Sequence, residues 1–85
     1  MALDLLYFAW VREAIGKDGE SVDPPESVAT VADLLDWLSA TDEDHNRAFA
    51  DRGRLRAAVD QAFVPLDTAI AGAREIAIFP PVTGG

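Results

Sequence analysis

The stretch Thr30–Thr41, "TVADLLDWLSAT", decides the architecture. Thr30 with Asp33 three residues on has the form of a capping box, whose hydroxyl and carboxylate each take a backbone N–H that a first helical turn leaves over. Val31, Leu34, Leu35 and Leu38 follow at helical spacing and define one apolar stripe. No other segment carries so clear a helical signature, and a single amphipathic helix must lie across something.

The flanking segments supply a sheet. On the N-terminal side, "LDLLYFA" (Leu3–Ala9) is apolar at almost every position, with one interruption at Asp4, as expected of a strand in the middle of a sheet. "WVREAIG" predicts a short helix that Gly16 ends, "KDG" a turn, "ESV" a second strand and "DPPES" a loop. On the C-terminal side, "DEDHNRAFADRG" is polar and led by acids, which predicts a short helix stopping at Gly53, with His45 a solvated surface residue. "LRAAV" and "FVPL" flank Asp60 and Gln61 and predict a hairpin, whose second arm Pro65 assigns to an edge. "AGAREIAIF" predicts a turn at Gly72 and a last strand ending at Phe79, because Pro80 and Pro81 have no N–H to continue a ladder. This order predicts an α+β domain, a mixed sheet packed on one main helix, over residues 1–80. Residues 81–85 are expected to form a flexible tail. Trp10 and Trp37 are expected to close the edges of the core.

Composition narrows the chemistry. A chain of 85 residues buries roughly 60–65% of its unfolded surface, enough for one core but not for a deep cleft as well. Fifteen acids against seven Lys and Arg leave a net charge of −8, which disfavours nucleic acid and anionic membrane surfaces as partners and favours a basic protein. No membrane span and no signal peptide are legible, so a cytoplasmic location is the default expectation. The absence of cysteine excludes thiolate metal sites and side-chain thioesters. No phosphate loop and no metal-ligand spacing occur either. Any sulfur or acyl chemistry therefore falls to the C-terminal carboxyl.

Strand alternation sorts the side chains of the sheet. Leu3, Leu5 and Tyr7 share a parity, as do Leu55, Ala57 and Val59, then Val64 and Leu66, then Ile76 and Ile78; these sets should face the helix. The opposite parity holds Asp4, Leu6 and Phe8, then Arg56 and Ala58, then Phe63 and Asp67, and last Glu75, Ala77 and Phe79. Phe8, Phe63 and Phe79 thus gather on the face that also carries charge, which points to a partner-binding patch.

The chain closes with "FPPVTGG", Phe79–Gly85. Together with "LLYFAWVREAIG" and "LRAAVDQAFV", this ending closely resembles the small-subunit (MoaD) family of molybdopterin synthase, ubiquitin-like sulfur carriers. The resemblance covers both ends and the hairpin; Lys17 to Arg54 supports it only through element order. It implies a β-grasp fold and a carrier role, without catalysis of its own, in molybdenum cofactor synthesis. It implies a ubiquitin-activator-like enzyme that uses ATP to adenylate the terminal carboxylate, and a sulfur donor that leaves a thiocarboxylate on Gly85. Pro81, Val82, Thr83 and Gly84 would then be the tail inserted into the large synthase subunit, in a heterotetramer, with no bound cofactor. Asp60 stands where the family pattern has asparagine. Two glycines make a narrow, adaptable end, and five extended residues after Pro80 reach roughly 16–18 Å, enough to enter another protein's active site. A ubiquitin-like carrier for thiamine synthesis or tRNA thiolation, or a modifier conjugated to lysines, would share the fold and the Gly-Gly end.

Overall fold

The structure, a computed structural model, describes residues 2–81. Five strands form one sheet in the order β2-β1-β5-β3-β4. They are β1 (Leu3–Tyr7), β2 (Gly19–Val22), β3 (Arg56–Val59), β4 (Ala62–Val64) and β5 (Glu75–Phe79). β1 and β5 run parallel at the centre, and the β1–β2, β3–β5 and β3–β4 pairs are antiparallel. This is the mixed sheet of a β-grasp domain. The apolar strand β1 is central, and the strand ahead of Pro65 is at an edge.

Three helices connect the strands: α1 (Ala9–Ile15), α2 (Val31–Ser39) and α3 (Glu43–Ala48). The capping box of α2 is formed at both ends: Thr30 Oγ1 accepts from the N–H of Asp33, and Asp33 Oδ2 accepts from the N–H of Thr30. Its Val31, Leu34, Leu35 and Leu38 are buried in one cluster with Leu3, Leu5, Tyr7, Ala57, Ile76 and Ile78 from the sheet. Parity thus assigned the inner face correctly. Trp10 and Trp37 pack half-buried at the margin of that cluster.

The hairpin turn is made by Asp60 and Gln61 with φ of 49° and 74°, the two positive angles that a two-residue hairpin favours. Asp60 compensates for its left-handed backbone with contacts beyond the turn. Its Oδ1 accepts from the N–H groups of Arg74 (2.9 Å) and Glu75 (3.0 Å), and its own N–H donates to the carbonyl of Glu75 (2.8 Å). Aspartate in place of asparagine keeps the turn, because only the side-chain oxygen is used.

Two expectations are corrected in the polar segment. The helix ends at Ala48 rather than running to Gly53, and a separate 3₁₀ turn covers Arg52–Arg54. His45 is not a solvated surface residue: it is 4% exposed, and Ala48 and Phe49 beside it are buried too. The segment is amphipathic over a short span, and its apolar side packs α3 against α1 and α2. The fourth strand is also shorter than "FVPL", ending at Val64 before the proline.

Candidate functional site

The outer face of the sheet is organised by register. Leu6, Ala77, Ala58 and Phe63 are successive partners across β1, β5, β3 and β4. The two central positions are alanines, and both are buried, at 8% for Ala77 and 6% for Ala58. Methyl groups in the middle with rings around them leave a trough. Phe8, Ala9, Ala58, Phe63, Ala77, Phe79, Pro80 and Pro81 line a shallow apolar groove of about 550 Å³.

The rings differ in exposure. Phe63 on the edge strand is 80% exposed and Phe8 is 47% exposed. Phe79 is only partly exposed, because it packs on Phe63 with ring centroids 5.5 Å apart. Phe8 follows β1 as the N-cap of α1, and Ala9 takes a left-handed φ of 54°. That conformation costs a residue with a Cβ about 1 kcal/mol or more, and it turns the chain from strand into helix within one residue. α1 buries Val11 and Ile15 in the core and leaves Phe8 exposed.

The sequence brings three of its candidate residues together here: Phe8, Phe63 and Phe79, with Pro81 at the rim. β5 delivers the chain into the groove, since Pro80 and Pro81 follow directly on Phe79 and line it. Val82, Thr83, Gly84 and Gly85 lie outside the described residues.

Sequence reasoning missed a polar cluster on the opposite side. Glu20 Oε2 accepts from the hydroxyl of Tyr7 (2.6 Å) and lies 2.6 Å from His45 Nε2. His45 Nδ1 lies 2.8 and 2.9 Å from the two carboxylate oxygens of Asp42. A neutral imidazole has one N–H and could serve only one of these carboxylates. Two carboxylates on the two ring nitrogens call for the imidazolium. Burial alone would lower the His45 pKa, but hydrogen bonds to Glu20 and Asp42 and their charges outweigh it and raise the value. Burial likewise pushes Glu20 up, and the bonds from Tyr7 and His45 more than offset it, so its pKa is lowered. Asp42 is lowered by the backbone N–H and then the ring of His45. Burial first, and then the Glu20 carboxylate, hold the Tyr7 phenol above its ordinary range. The signal for this cluster was present in Tyr7, an inward-facing tyrosine whose hydroxyl needs an acceptor. Among the described residues no group of three His, Asp or Glu side chains is placed to hold a metal ion. The cluster holds β1, β2 and α3 together.

A mixed five-stranded sheet in this order, packed on one main helix, is the β-grasp fold of the ubiquitin-like class of protein. The ThiS family profile matches residues 5–85. The molybdopterin synthase sulfur carrier subunits of Escherichia coli and Haemophilus influenzae are 39% and 36% identical over 83 residues, covering 98% of this chain and 99% of each relative. The crystal structure of small archaeal modifier protein 1 of Haloferax volcanii superposes with a TM-score of 0.72 at 30% identity, over 95% of this chain and 98% of that one. The chain belongs to the ThiS family, alongside the molybdopterin synthase sulfur carrier subunits.

Proposed function

We propose that this protein carries sulfur for molybdopterin synthesis as a thiocarboxylate on Gly85. The observation that supports the reading most directly is the family match running through Gly85, in a chain whose last described residues line an exposed aromatic groove. A carboxylate is a poor acyl donor because its oxygen leaves badly. Attack of the Gly85 carboxylate on ATP expels pyrophosphate and gives an acyl adenylate. Sulfide-level sulfur then adds to the acyl carbon, and AMP departs with the bonding pair. In the large synthase subunit the sulfur passes to a precursor pterin, and water returns the acyl carbon to the carboxylate. Each carrier delivers one sulfur, so a dithiolene consumes two.

In this scheme the chain contributes no catalytic side chain. The groove with Phe8, Phe63 and Phe79 docks first the adenylating enzyme and then the large subunit, while Pro81, Val82, Thr83 and Gly84 thread toward the partner's active site. A cytoplasmic location fits this use of ATP, and among the described residues no helix is long and apolar enough to cross a membrane. Intact-mass analysis after incubation with the activating enzyme, ATP and a sulfur donor tests the reading. One oxygen should be replaced by one sulfur, mapped to Gly85; a gain anywhere else on the chain refutes it. The likeness to a small archaeal modifier favours lysine conjugation as the second reading, which the same experiment would register as an isopeptide from Gly85 to a protein lysine.

A further inference from the structure

Arginines in this chain are treated unequally. Arg47 is paired with Asp44 at 2.7 Å and Arg52 with Asp36 at 2.8 Å. Arg56, like Arg12, Arg54 and Arg74, has no carboxylate partner among the described residues, although the chain has an excess of acids. The Nη1 of Arg56 instead donates to the carbonyl oxygens of Leu55 (2.8 Å) and Gly53 (3.2 Å). Those two bonds tie the guanidinium down. In a guanidinium the Nε–H and the Nη2–H lie along one edge, away from Nη1, and that edge matches the two oxygens of a carboxylate. Here it has no acceptor among the described residues.

The location gives this edge a use. Arg56 stands opposite Phe79 in the β3–β5 register. With Ala57, Phe63, Val64, Pro65 and Phe79 it lines a second hollow of about 450 Å³, which shares Phe63 and Phe79 with the first. Arg56 therefore borders the aromatic groove.

We propose that the protein partner seated on this face carries an Asp or Glu whose carboxylate is clamped by the Nε/Nη2 edge of Arg56, while apolar side chains fill the groove. The proposal deepens the docking role already assigned to the face and rests on it. A partner that covered Phe63 and Phe79 without an acceptor here would strip water from a fixed guanidinium and leave it unpaired, which is strongly unfavourable. A carboxylate at that point replaces the lost water with a bidentate pair. Net charge points the other way, since a chain at −8 repels acidic proteins at a distance. The fitting partner is thus basic or neutral overall, with a single acid set within its apolar contact. Such a pair fixes register and rejects partners that lack the acid.

Calorimetric affinity of the purified large synthase subunit for four variants tests this. Arg74 is exposed at the opposite end of β5, so Arg74→Gln makes the same change of net charge far from the groove. Arg56→Gln should weaken binding roughly ten- to hundred-fold, and Arg56→Lys should restore only part of it, because an ammonium cannot form the fork. Arg74→Gln should stay within about two-fold of wild type, as expected for a charge outside the interface. Equal losses in Arg56→Gln and Arg74→Gln, or full recovery in Arg56→Lys, overturn the clamp in favour of a simple charge effect. Wild-type binding by Arg56→Gln alongside weak binding by Phe63→Ala overturns the clamp and leaves the docking face standing. Wild-type binding by Phe63→Ala overturns the docking role itself.

Discussion

Replacing Glu20 by glutamine removes one negative charge and keeps the shape of the side chain. Glu20 Oε2 accepts from both Tyr7 and His45 at 2.6 Å, and an amide oxygen at the same place can accept both bonds. The perturbation thus isolates the charge. Hydrogen bonds to a charged group contribute about 1.5–3 kcal/mol, against about 0.5–1.5 for neutral ones. Two bonds on one oxygen put the loss in Glu20→Gln at about 2–3 kcal/mol while His45 is an imidazolium. In a domain of this size that is a fall in melting temperature of roughly 8–24 °C.

The pH dependence sharpens the test. His45 has a raised pKa in the fold, so its contribution is complete below its unfolded value near 6.5 and is lost as pH rises through the folded value. Glu20 has a lowered pKa, so its contribution is present above its unfolded value near 4.5 and is lost as pH falls through the folded value. The cluster is therefore at full strength between about pH 4.5 and 6.5. Urea unfolding of wild type and Glu20→Gln at pH 5.5, 7 and 9 measures it. The gap should be largest at pH 5.5 and shrink toward about 1 kcal/mol once His45 is neutral, when the bond from Tyr7 and the exposed ion pair with Lys17 (3.4 Å) still separate them. NMR titration of the His45 ring should show a lower pKa in the variant. A gap independent of pH, or no gap, refutes the imidazolium between two carboxylates.

Phe63→Ala should leave the melting temperature near wild type and weaken partner binding by about 2–4 kcal/mol, whereas Phe49→Ala, at 0% exposure, should cost about 3–5 kcal/mol of stability; thermal unfolding and calorimetry separate the two. Phe79→Ala should fall between them, since its ring is partly covered by Phe63. Gly19→Ala should loosen β2, because an added Cβ would stand 2.7 Å from the carbonyl oxygen of Leu5; hydrogen exchange should show faster opening of the β1–β2 ladder. Gly84→Val should abolish adenylation in a pyrophosphate-release assay and leave urea unfolding unchanged, as the core is built from residues up to Ile78.

Local chemistry was enough for much of this protein. The capping box and stripe of Thr30–Leu38, the prolines after Phe79 and the alternation of the strands each depend on neighbours within a few residues, and each is legible in the chain. Parity even separated the groove aromatics from the core, because a strand has only two faces. What only the tertiary structure decided are contacts between residues far apart in sequence. His45 lies 25 positions from Glu20, and in isolation its segment reads as solvated, with four acids and two arginines around a lone histidine. Folding places α3 against α1 and beside the β1–β2 edge, where the buried Tyr7 hydroxyl and the imidazole both need a carboxylate. The unequal exposure of Phe63 and Phe79 has the same origin. Their shared parity follows from the sequence, but which ring covers the other depends on β3 standing between β4 and β5.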